Sequence, residues 1–193
     1  MAVIAFFLGV MTAYAQGWLP DQVRSLANSS GSWALLAFLL ALLAATRGAS
    51  AVFGLLSLLA LFASYVVGAS VRGYPSSTQL MVFWGAAALL AGPLLGLAAF
   101  WVNSQGGPLA ALGAGAVSGV LVGEGVYGLA YVADTTYPPY WWGQIVVGLV
   151  LLLVVAARRL RQPRDIALGL GISTLTAAAF VAVYSQGLIA LLS

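Results

Sequence analysis

The amino-acid sequence predicts an all-α polytopic membrane bundle of about seven transmembrane helices, with six as the alternative count and the N-terminus cytoplasmic. Three observations carry this. Of 193 residues, 63% are hydrophobic and 6% charged, with a mean hydropathy of +1.06, whereas a soluble domain needs far more charge to cover its surface. The apolar runs are each close to the roughly 20 helical residues that cross a hydrocarbon core about 30 Å thick. The breaks between them are short clusters of polar, Gly and Pro residues, which leaves one integral membrane domain over residues 1–193.

Cutting at those breaks gives spans at residues 2–18, 32–46, 49–70, 79–102, 108–132, 140–158 and 166–191. The first ends in Ala13-Tyr14-Ala15, the pattern of a signal-peptidase site, but no Lys or Arg precedes its apolar run, so it reads as a retained helix. The connection "LPDQVRSLANSSGSW" begins with Pro20-Asp21, which suits a helix start, and spaces Val23, Leu26 and Ala27 on one face, as in a short interfacial helix. Ser29, Ser30 or Ser32 is placed to cap the second span. Only "TRGA" separates the second span from the third. In the fourth, Gly92-Pro93 and Gly96 predict a kinked, closely packed helix.

The seven cationic residues are all Arg, and Arg158, Arg159, Arg161 and Arg164 share one loop. With that loop cytoplasmic, alternation places Arg47 inside and Arg24 and Arg72 outside, so the N-terminus is inside and the C-terminus outside. The chain is expected in the cell (inner) membrane of a bacterium as a multi-pass protein. It has no Cys and no His, which removes disulfides, thiolate or imidazole metal sites and Cys-His or Ser-His catalytic pairs. No basic stripe suits nucleic acid, and no cofactor is expected.

With this topology the aromatic and polar residues gather in the outer half. Trp18, Trp33, Trp84, Trp141, Trp142 and all eight tyrosines fall there, and only Trp101 falls inside. An interfacial belt forms at both surfaces, so the lopsided distribution points to rings lining an outward cavity. Asp21, Arg24, Asn28, Arg72, Glu124, Asp134, Gln144 and Gln186 share the bias.

In the fifth span Gly115, Gly119 and Gly123 recur every fourth position, a face for close helix packing. On a rotated face Glu124, Tyr127 and Tyr131 form a column. Glu124 lies about eight residues below the outer end, roughly 12 Å deep, where an isolated charge costs about 2.5–3.5 kcal/mol on insertion scales. Three roles compete for it. It is the floor of a binding cavity, a structural partner of Arg24, Arg72 or a tyrosine, or a protonation site in transport. In the loop "ADTTYPPYWWGQ", Trp141 and Trp142 point about 100° apart, so one of the two faces a site. On the first span Ala5, Gly9 and Ala13 form a small-residue strip suited to internal packing or to a partner membrane protein.

The motifs "LANSSGSW", "VFWGAAALLAGPLLGLAAFW" and "GEGVYGL" resemble a family of small multi-spanning bacterial membrane proteins known only as a domain of unknown function. The architecture is also similar to the substrate-capture subunits of energy-coupling-factor vitamin importers, which have six helices rather than seven. That likeness implies a vitamin-like ligand in an outward aromatic cavity, a lid formed by Asp21 to Ser30, a docking strip at Ala5, Gly9 and Ala13, and a partner subunit that supplies energy. Glu124, Trp84, Trp33, Tyr127 and Trp141 match the kind of residue that lines such a cavity; Tyr131, Arg72 and Asn28 complete the candidate binding set. The expected function is capture of a small aromatic or cationic metabolite for import, by a protein that is not itself an enzyme. The rival is a non-catalytic accessory subunit of a larger membrane complex. An intramembrane hydrolase is third, since Glu124 and Asp134 differ in depth by roughly 15 Å along a continuous helix.

Overall fold

The structure, a computed structural model, describes residues 2–185. Gln186 and the end of the seventh expected span, residues 186–191, lie outside the described residues.

Every described segment of regular structure is helical: α1 (Ala2–Trp18), α2 (Asp21–Arg24) running into a 3₁₀ turn (Ser25–Asn28), α3 (Ser30–Ala41), α4 (Arg47–Val71), α5 (Thr78–Ser104), α6 (Gly107–Tyr127), α7 (Pro138–Arg159) and α8 (Pro163–Ser185). Local chemistry sets their starts. The side chains of Ser29, Thr46 and Ser77 accept from the amides of Ser32, Ala49 and Leu80 at the N-termini of α3, α4 and α5. Proline occupies the first turn of α6, α7 and α8, where no intrahelical amide bond is lost. Gly73, at φ +83°, turns the chain after α4.

Among the described residues, five helices are long and apolar enough to cross a membrane: α4, α5, α6 with its extension to Thr135, α7 and α8. Their outward faces carry exposed Leu and Val, among them Val82, Leu90, Leu153 and Leu175, as a lipid-facing surface requires. The helices of α1 and α3 are apolar but shorter. The second expected span is corrected most: α3 stops at Ala41 instead of residue 46, and its 12 residues reach only about 18 Å.

α6 is the central helix. It packs on α7 and α8 on one side and on α5 on the other, while α4 packs on α1 and α5; α3 inserts between α4, α5 and α6. Glycines permit these approaches. A Cβ on Gly119 would lie 2.6 Å from the Ser173 carbonyl of α8, and Gly115 and Gly123 meet the same helix. The predicted packing face is therefore the α6–α8 contact. Gly113 faces α5, and Gly125 and Gly128 face α7. Gly92 and Gly96 bring α5 against α4 at Gly54 and Ser50, and α5 runs helical through Pro93.

The strip Ala5, Gly9, Ala13 packs against α4. Ala5 and Ala13 are buried, and a Cβ on Gly9 would overlap the Leu61 carbonyl and Ser64 Oγ. This corrects its assignment as a partner-docking surface: the close helix contact it was suited to is made inside the chain.

Candidate functional site

α3 is half a helix, and what holds its N-terminus defines the site. Its first amides have no intrahelical acceptor. The Ser30 N–H donates to Glu124 Oε1 at 2.7 Å, the Gly31 N–H to Glu124 Oε2 at 2.9 Å, and the Ser32 N–H to Ser29 Oγ at 3.0 Å. Ser29 Oγ in turn donates to Glu124 Oε2 at 2.6 Å. The Gln144 amide donates to both Ser29 Oγ, at 3.0 Å, and Glu124 Oε2. Glu124 is 5% exposed. A carboxylate has about four acceptor sites, all acceptor-only, and here four donors and the positive end of a helix converge on it. Gly31 makes this possible, since a Cβ there would sit 2.6 Å from Glu124 Oε2.

Of the three roles open to Glu124, the structure supplies a partner of another kind: neither arginine nor tyrosine, but the start of α3. Among the described residues it makes no ion pair. Arg24 pairs with Asp21 at 2.9 Å. Arg72 donates to the Ala13 carbonyl and lies over the rings of Tyr14 and Tyr74, 5.5 and 5.6 Å from their centroids.

Beside this junction lies a cavity of about 1510 Å³, bounded by the α2 segment and by α1, α3, α4, α5, α6, α7 and α8. Asn28, Trp33, Trp84, Glu124, Tyr127, Tyr131 and Trp141 all line it. Arg72 does not, which corrects its place in the candidate set: its guanidinium is held on α1 and the adjacent rings. The α2 segment expected to lie at the interface contributes Asp21, Arg24 and Asn28 to the cavity wall.

The rings are in contact. Tyr127 stacks on Tyr131 (5.1 Å, 22°) and meets Tyr184 edge-on at 5.3 Å; Tyr184 stacks on Phe180 (4.2 Å) and approaches Trp84 at 6.4 Å. Trp33 meets Tyr65 at 5.4 Å, and Gln16 donates to the Tyr65 hydroxyl at 3.1 Å. Of the Trp pair, Trp141 is buried and Trp142 is 60% exposed, as their angular separation predicts. The Trp141 ring presses on α6 at Gly128, where a Cβ would overlap it, and there α6 loosens into a π-helical turn over Gly128–Val132. Its indole N–H donates to Thr136 Oγ1 at 2.8 Å.

Sequence reasoning missed Ser29, Ser30, Gly31 and Gln144 as the partners of Glu124, and Tyr184 as a wall residue tied to Ser30 Oγ at 2.6 Å. A signal existed for part of this: Ser29 was one of three serines placed to cap the second span, and Tyr184 shared the outer half.

A family model described as "Family of unknown function (DUF6518)" matches residues 1–189. No curated protein and no solved structure matches the chain, so the likeness to substrate-capture subunits gains nothing from these comparisons.

Proposed function

We propose that this chain, which belongs to the DUF6518 family of unknown function, is a membrane transport protein that binds a small aromatic or cationic, vitamin-like metabolite in its ring-lined cavity. The observation that carries the reading is the convergence of Trp33, Trp84, Tyr127, Tyr131 and Tyr184 from α3, α5, α6 and α8 on one space of about 1510 Å³. Binding sites for small molecules are concave, mostly apolar and furnished with a few convergent polar groups, and this space combines rings with Ser30, Asn28 and Gln16. The chain carries no P-loop lysine, so we assign it the binding step of an importer in the bacterial inner membrane, with energy supplied by a separate partner.

The test is direct binding. Purified protein in lipid nanodiscs is titrated with vitamin-like aromatic ligands and followed by intrinsic Trp fluorescence, beside Trp84→Ala and Tyr127→Ala. Saturable binding weakened about ten-fold or more in both variants supports the reading. Absence of binding across the panel, or affinity unchanged in both variants, overturns it.

A further inference from the structure

We propose that the cavity selects an uncharged aromatic molecule and discriminates against cations. This rests on the cavity being a binding site and narrows the ligand class.

Among the described residues, the charged side chains that line it are Asp21, Arg24 and Glu124, and each already has a partner within the chain. Asp21 and Arg24 sum to zero and sit in an exposed pair at the mouth, where solvent weakens them. Among the described wall residues that leaves Glu124. Its Oε2 takes three donors and its Oε1 the Ser30 amide. Two of these donors belong to the first turn of α3, whose positive end opposes an approaching cation. A cationic ligand would have to compete with donors built into the backbone.

Ring faces attract cations by themselves, but here some are covered. Tyr131 occupies one face of Tyr127, and Phe180 one face of Tyr184. What remains suits the insertion of a flat neutral ring system.

Two fluorescent probes of equal size separate the possibilities. N-methylacridone is neutral and bears a carbonyl; N-methylacridinium has the same three rings and a positive charge. Both are titrated by fluorescence polarisation into the wild-type protein. The expected result is N-methylacridone binding at least about ten-fold more tightly than the cation. Equal or tighter binding of N-methylacridinium overturns the inference while leaving the cavity a binding site. If neither probe binds up to millimolar concentration, the inference and the binding reading both fall.

Discussion

The backbone amide of Gly31 donates to the carboxylate of Glu124 at 2.9 Å, across 93 residues of sequence. That bond belongs to a junction in which a buried acid terminates a half-length helix, so Glu124→Ala leaves the Ser30 and Gly31 amides and Ser29 Oγ without their acceptor and the Gln144 amide with Ser29 Oγ alone. A buried donor left without an acceptor costs about 1–3 kcal/mol. We expect a marked fall in the thermal midpoint of Glu124→Ala in detergent. Glu124→Gln retains one acceptor oxygen and should fall between it and wild type. A midpoint within error of wild type for Glu124→Ala would show that the junction does not hold the fold.

Gly31→Ala is a separate probe of the same approach. Its added methyl would overlap the Gln144 amide and sit 2.6 Å from Glu124 Oε2, and overpacking of this kind costs about 1–3 kcal/mol. Equilibrium unfolding should place it below wild type. Stability equal to wild type would mean that both side chains withdraw freely.

The helix glycines divide sharply. Gly119→Ala should destabilise, since its methyl would approach a carbonyl of α8 that cannot move away alone. Gly171→Ala should stabilise by about 0.5–1 kcal/mol, because no atom lies within 4 Å of its Cβ position and alanine is the better helix former. Opposite signs in denaturant or thermal unfolding are the expected outcome, and equal signs would contradict the α6–α8 packing.

Arg72→Gln separates stability from binding. The variant loses a guanidinium held on the Ala13 carbonyl and two tyrosine rings, at about 0.5–2 kcal/mol. Ligand affinity should stay at the wild-type value, because Arg72 is not a wall residue. A ten-fold affinity loss at unchanged stability would return it to the site.

Sidedness can be read with single cysteines, since the natural chain has none. Ser76→Cys, between α4 and α5, should react with a membrane-impermeant maleimide in intact cells. Gln162→Cys, in the Arg-rich turn before α8, should react only after permeabilisation. The reverse pattern would invert the orientation and turn the cavity mouth towards the cytoplasm.

The long helices were legible in the sequence because their ends carry caps and prolines and their apolar runs match a bilayer. The length of α3 was not. Leu42, Leu43 and Ala44 continue its hydropathy after the helix has ended at Ala41, and hydropathy cannot distinguish a helical leucine from one in a turn. The wall residues Trp33, Trp84, Tyr127 and Tyr131 were found because depth and helix phase suffice to place a ring. Glu124 stood out as an acid inside an apolar run, but its partners did not, since two are backbone amides and every residue but proline has one. Arg72 lay at a plausible depth, yet where a long side chain ends depends on which helix is its neighbour. The adjacency of α1 and α4 is not written in either.

The half-length of α3 also bears on how the chain is made. Its opening amides find their acceptor only when residue 124 has been synthesised and inserted, 93 residues after Gly31. At ribosomal rates of about 5–20 residues per second, that is a wait of about 5–20 s. The junction is therefore complete only after α6 has been made.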